Sequence, residues 1–445
     1  MGSIPIIRGP SVPVEFQGDS GLDGANHPEP VVGPAATGAL DLAPLALGFD
    51  PSDPAFIADP YPVYRRLRDD HPILWNPETR QWLISRHADV NRLLRDRRLG
   101  RTYLHQATHG EMGRPEPTDW HAPFHELNDA GMLDMEPPDH TRLRRLVLRA
   151  FTPRTVEAMR GRVQAIVDRL IDDFAGAGEV DLIADFVEPL PVTVIAELLG
   201  IPEADRHLLR PWSADICLMY ELNPPDGSAR RAVRASLEFG AYLRDLLGDR
   251  RARPGDDLVS ALAAVVDDGD TLTETELIGT CVLLLNAGHE ASVNGAGNGW
   301  WTLFRHPEAL ARLRAEPALM ASALEELLRF DTPLSLFERW VLEPIEVEEV
   351  SIPRGAEVAL LFGSANRDPA AFDRADELDL VRDPNPYLSF GAGIHYCLGA
   401  PLAKLELGIA FGTLLRRVPR LELVETPRWK PTFVLRGLEG LRVRV

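Results

Sequence analysis

The run SFGAGIHYCLGAPLAKLELGIAF (Ser389–Phe411) sets one cysteine, Cys397, among three glycines: Gly391 and Gly393 before it and Gly399 after it. Glycines at such spacing let the backbone turn tightly and approach something large and flat. A helix pattern begins just past the cysteine, from about Ala400 to Arg417. The amides and positive dipole end of that helix would favour a thiolate. A lone cysteine is ordinarily a small buried hydrophobe. The glycine framing sets this one apart from Cys217 and Cys281, the only other cysteines in the chain.

Working outward, the chain has 445 residues and an ordinary soluble composition, 45% hydrophobic and 26% charged. Acids outnumber bases 67 to 47, for a formal charge of −20. That balance argues against nucleic acid or an anionic membrane as a general partner. Three cysteines without Cys-x-x-Cys spacing make neither a disulfide framework nor a zinc site. The N-terminus lacks the basic and apolar blocks of a signal peptide. The longest apolar run, Leu277 to Ala287, is too short to span a bilayer. The expected location is the cytoplasm.

Residues 1–45 are rich in Gly, Pro and Ala and read as an irregular arm. Ile73 to Arg86 alternates around Asn-Pro-Glu-Thr and reads as a hairpin. Residues 101–130 hold many Gly, Pro and His and read as a long loop. Helical patterns dominate from Asp139, with Thr152-Pro153 as one helix start. Thr273 to Arg305 reads as one long helix, followed by shorter ones over 307–315 and 319–330. Short β-like runs, an irregular 366–388 stretch and a strand-like end (FVLRGLEGLRVRV) complete the chain. The expected class is mainly α with small β-sheets.

Within the long helix, Gly288, His289 and Glu290 interrupt an apolar run. Glycine costs roughly 1 kcal/mol in a helix interior, and a carboxylate there must find a partner or solvent. Asp139 to Ala150 (DHTRLRRLVLRA) carries three faces. His140 and Arg144 share one side, and Leu143, Leu146, Val147 and Ala150 form an apolar stripe. Arg142, Arg145 and Arg149 cluster opposite.

Phe390-x-x-Gly393-x-His395-x-Cys397-x-Gly399 resembles the haem-binding signature of the cytochrome P-450 superfamily, soluble bacterial class. Glu326-Leu-Leu-Arg329 resembles the family's Glu-x-x-Arg, Ala287-Gly288-x-Glu290 its distal helix, and Met135 to Phe151 its propionate-clamping helix. The resemblance runs from about Asp50 onward. It implies the triangular P-450 fold, a single domain over 46–445, and haem b with Cys397 as its iron ligand. It assigns haem contacts to His140, Arg144, Ala287, Gly288, Arg339, Phe390, Gly391, His395, Cys397 and Gly399. It implies insertion of one oxygen atom of O2 into a small organic substrate, with NAD(P)H electrons arriving through ferredoxin reductase and ferredoxin as separate chains. The chain would work as a monomer. Either Arg374 or Arg382 would join Glu326 and Arg329 beneath the haem. The arginine face 142/145/149 would dock the acidic electron donor, with Lys404 and Arg416 extending it. Residues 101–130, 221–228, Leu334 to Phe337 and Thr432 to Leu435 would line the substrate pocket.

One departure from the family pattern concerns catalysis. The distal acid, Glu290, is normally followed by a threonine that orders water for proton delivery, and here Ala291 follows. Ser292, a substrate hydroxyl or substrate-held water could replace that hydroxyl, or the enzyme could run poorly coupled. A peroxide-using relative would carry arginine in place of Glu290. A non-catalytic haem sensor would be expected to carry an output domain.

Overall fold

The computed structural model describes residues 44–445. The expected N-terminal arm therefore lies outside the described residues, apart from its last two positions. The chain folds as expected for its class, mostly helical with small sheets.

The long helix spans Glu274–Arg305 and starts on a capping box in which Thr273 and Glu276 satisfy each other's backbone amides. It runs without a break through Gly288, where the apolar run is interrupted. The glycine has a packing cause: a Cβ at that position would lie 2.5 Å from Ile195 Cδ1 on the helix Pro189–Leu199. Gly288 thus permits close packing between two helices. More than half of the helix is buried, including Trp300, which stacks on Phe411 of the helix Ala400–Arg417 at 4.4 Å between centroids.

The helix Pro153–Ala158 begins on Thr152, whose hydroxyl accepts the Thr155 amide. Ile73–Asn76 and Gln81–Ile84 form the expected antiparallel hairpin. That hairpin extends into a five-stranded sheet. Gln81–Ile84 runs parallel to Glu357–Leu360, which pairs antiparallel with Phe337–Val341, and that strand with Leu99–Gly100. A helical core and a smaller sheet-side core share the interior.

Two readings need correction. Residues 101–130 are not a continuous loop. They contain short 3-10 turns and the helix Ala122–Asn128, whose Pro123 sits in the first turn, where a missing N–H costs nothing. The C-terminal stretch contains one strand, Arg442–Arg444. The remainder is a hairpin-like excursion held by isolated pairings, Leu334 with Leu435 and Trp429 with Leu438.

Candidate haem site

Cys397 sits on the irregular segment before Ala400–Arg417 and is half-buried. Its amide donates to the Phe390 carbonyl at 3.0 Å, closing the loop on itself. Gly393 has φ +71°, and a Cβ there would collide with the Leu94 carbonyl. This glycine therefore fits the loop against neighbouring protein, while Gly399 leaves open space beside the sulfur, its Cβ position being 3.9 Å from Sγ. Burial pushes the Cys397 thiol up, and the Gly399 and Ala400 amides and Arg144 pull the other way without overcoming it. The expected helix-start effect is present, but burial outweighs it.

The helix Asp139–Ala150 lays its His140/Arg144 face on this loop. Arg144 Nη2 donates to the Tyr396 carbonyl at 2.7 Å. The His140 and His395 rings lie 4.4 Å apart. His140 is buried, and neither of its ring nitrogens has a hydrogen-bond partner. Burial, with His395 and Arg144, lowers its pKa to about 4. His395 Nε2 lies 3.2 Å from Glu136 Oε1, which also accepts the Arg101 amide at 2.6 Å. Burial works against ionisation of Glu136, but His395, the Arg101 amide and Arg339 outweigh it.

Arg339 comes from the strand Phe337–Val341 and is 3% exposed. Its one hydrogen bond among the described residues goes to the neighbouring Glu338 carbonyl, at 2.8 Å. Burial and nearby Arg101 pull its pKa down to about 9. A buried guanidinium without a carboxylate of its own and a buried imidazole with two orphaned nitrogens are costly features. Both are accounted for by an anion that the protein does not supply.

On the long helix, Ala287 is exposed although it lies mid-helix, and Leu283, Leu284 and Ala291 are half-buried on the same side. A face of small and apolar residues left open within an otherwise buried helix suits a flat apolar group. Ser292 is also half-buried, about 100° further round. Glu290 meets Lys430 Nζ at 3.2 Å, and its pKa is lowered: burial raises it, but Lys430 first, then His289, reverse that.

Beneath the site, Glu326 and Arg329 form a doubly bonded pair with no solvent exposure, both contacts at 2.7 Å. Of the two candidate third members, Arg382 joins them, its Nε 3.0 Å from Glu326 Oε2. Arg374 stays outside, on Glu377 and Asp379. The expected pocket segments also converge. Glu221 accepts the amides of Phe433, Val434 and Leu435, Leu334 pairs with Leu435, and the Arg101 guanidinium lies 4.5 Å from the centre of the Phe337 ring.

The arginine face does not hold as a free basic surface. Arg142 binds Asp270 at 2.9 Å and Glu276 at 2.5 Å, and Arg145 and Arg149 both pair with the buried Asp267. Sequence reading missed these partners because they lie more than a hundred residues away. It also missed Glu136 and Lys430. Glu136, placed just before Pro-Pro at a helix entry, was the more findable of the two.

A cysteine on a glycine-framed loop, an open apolar helix face, and a corner where a buried guanidinium and a buried imidazole lack partners together define a haem-thiolate protein. The family model for cytochrome P-450 matches residues 229–432. The cytochrome P-450 monooxygenase PikC of Streptomyces venezuelae is 40% identical over 423 residues, covering 92% of this chain and 95% of PikC. The polyketide biosynthesis cytochrome P-450 PksS of Bacillus subtilis is 38% identical, covering 89% of this chain and 98% of PksS. The solved structure of BioI, a P-450 in complex with an acyl carrier protein ligated to hexadec-9Z-enoic acid, superposes with a TM-score of 0.82 at 36% identity. That match covers 88% of this chain and 99% of BioI. The chain belongs to the cytochrome P-450 family and is a haem b monooxygenase of the soluble bacterial type. No helix among the described residues is long and apolar enough to cross a membrane.

Proposed function

We propose that residues 46–445 act as a single haem domain that oxidises a hydroxyl-bearing natural product of the polyketide kind, with electrons passed from NAD(P)H through ferredoxin reductase and ferredoxin. The protein works as a cytoplasmic monomer. The substrate class draws on PksS, a polyketide biosynthesis cytochrome P-450, and on Ala291, which leaves the distal helix short of a hydroxyl that a substrate could provide.

Cys397 would hold the iron, and Phe390, Gly391 and Gly399 shape the loop around it. His140, Arg144, Arg339 and His395 would take the carboxylates, and Ala287 and Ala291 would face the opposite side. Gly288 sets the helix spacing behind that face. Bound there, haem supplies reductive activation of O2 and insertion of one oxygen atom into the substrate. The chain's own residues control water and protons. Glu290, held as a carboxylate, passes protons from solvent through water. Ala291 keeps the space beside it free, and the hydroxyl that orders the last water comes from the substrate rather than from Ser292. The single observation that carries the haem assignment is the pairing of Cys397 with a corner of buried hydrogen-bond donors that lack an anion, the His140 imidazole and the Arg339 guanidinium.

The test is spectroscopic. Reduced wild-type protein under CO should give the far-red Soret band of thiolate ligation, and Cys397→Ser should lose it. Retention of that band by the variant would move the ligand to another residue. A compound library scored by the substrate-induced Soret shift would identify the substrate. Ser292→Ala should keep most product per NADH.

A further inference from the structure

Glu290 is gripped from outside its own helix. Lys430 Nζ lies 3.2 Å from Glu290 Oε2 and 3.2 Å from Asn294 Oδ1, one helical turn further on. Lys430 is carried by the C-terminal excursion, its amide bonded to the Gly437 carbonyl at 2.9 Å. The excursion is riveted to the long helix. Asn294 Nδ2 donates to the Leu435 carbonyl at 3.2 Å and Asn298 Nδ2 to the Arg436 carbonyl at 3.0 Å. A Cβ on Gly437 would overlap the Asn294 side chain, so only glycine lets the two backbones come this close. From the other side, Glu221 accepts three successive amides, Phe433, Val434 and Leu435, at 2.8, 2.9 and 2.9 Å.

We propose that Lys430 is a positioning residue for the proton-relay acid, fixing the orientation of the Glu290 carboxylate and keeping it ionised, with Asn294 as its second anchor. The inference rests on the reading of Glu290 as the relay.

The groups facing Glu290 favour this assignment. His289, on the same helix, is 3.9 Å away, but burial leaves it neutral, its pKa lowered to about 4, and its Nδ1 meets Ser213 Oγ at 3.3 Å. Arg210 is committed to Glu188 at 2.6 Å. Cys217 is a buried thiol that its surroundings keep protonated. Among the described residues, Lys430 is thus the cation free to compensate the acid. Burial alone would raise the Glu290 pKa, and Lys430 is the largest influence lowering it. Removing Lys430 therefore raises that pKa, and the carboxylate is lost at a higher pH than in wild type.

With the substrate unidentified, O2 serves as the probe. NADH consumption by the holoenzyme with ferredoxin and its reductase is followed against pH, in H2O and D2O. Lys430→Met should move the acid limb to higher pH and enlarge the solvent isotope effect. Lys430→Arg should restore both, which a merely structural lysine would not require. The CO spectrum should be unchanged in all variants. An unshifted limb in Lys430→Met, while Glu290→Gln slows turnover, overturns the role of Lys430 and leaves the relay standing. No effect of Glu290→Gln overturns both.

Discussion

Arg329 and Arg339 lie ten positions apart and are both almost wholly buried, yet the protein treats them oppositely. Arg329 meets the Glu326 carboxylate with two bonds and gives its remaining N–H groups to the carbonyls of Asn366, Ala375 and Glu377. Arg339 has one neighbouring carbonyl and the face of Phe337, 4.7 Å from its guanidinium carbon. Removing an ion from water costs several kcal/mol, and only a well-placed partner offsets this. The first arginine has its counter-ion within the chain. The second is complete only when an anion arrives from outside. The contrast separates a structural ion site from a binding site by chemistry alone.

The difference can be broken most severely at Glu326. Glu326→Gln keeps the shape and removes the charge, leaving Arg329 and Arg382 buried without an anion. Loss of one partner of a buried pair costs about 3–5 kcal/mol. Denaturant unfolding should show a loss of this order, and little haem-loaded protein should survive purification. A variant with wild-type stability would mean that the carbonyl bonds alone hold Arg329.

Arg339 gives a smaller effect with opposite signs in the two forms. Arg339→Met removes an uncompensated buried charge, so the haem-free protein should melt no lower than wild type. The loaded protein should release haem faster to a scavenging haem protein. A charge-assisted hydrogen bond is worth roughly 1.5–3 kcal/mol, which corresponds to about 10- to 100-fold in affinity. Equal haem retention in both proteins would leave the buried guanidinium without a purpose, and the comparison with Arg329 would fail.

What the sequence made legible was local. The Thr273 to Arg305 run, Thr152 before Pro153, the Ala400–Arg417 periodicity and the Asn-Pro-Glu-Thr turn each carry their signal in neighbouring residues, and each element formed where expected. Cys397, His140, Arg144 and Glu326 came from compact motifs for the same reason. Contacts across the chain stayed hidden. Choosing between Arg374 and Arg382 needed the path of an irregular segment with no periodicity. Gly288 in the middle of a helix had no visible cause because Ile195, the side chain that fills the space, belongs to another helix. Helix-forming residues in 122–128 were masked by the Pro, Gly and His around them. Lys430 could not be linked to Glu290, 140 residues earlier, by spacing or pattern.

The same distinction between paired and unpaired cations applies on the surface, where the stakes are lowest. Arg142, Arg145 and Arg149 bring three positive charges, and Asp267, Asp270 and Glu276 oppose them with three negative ones. Such a cluster presents little net field to the ferredoxin proposed as electron donor. Arg149 is 64% exposed in its side chain, and exposed pairs contribute about 0–1 kcal/mol. Arg149→Ala should therefore cost under about 1 kcal/mol in unfolding, because Arg145 still holds Asp267, and should leave ferredoxin reduction rates unaltered. Arg416 is exposed at the end of the helix that follows Cys397 and has no ion-pair partner among the described residues. Arg416→Glu should slow reduction at low ionic strength. The difference should fade as salt rises, since the screening length is about 10 Å at 0.1 M. If stopped-flow reduction is slowed as much by Arg149→Ala as by Arg416→Glu, the ion pairs do not neutralise that face, and the arginine helix is the docking surface after all.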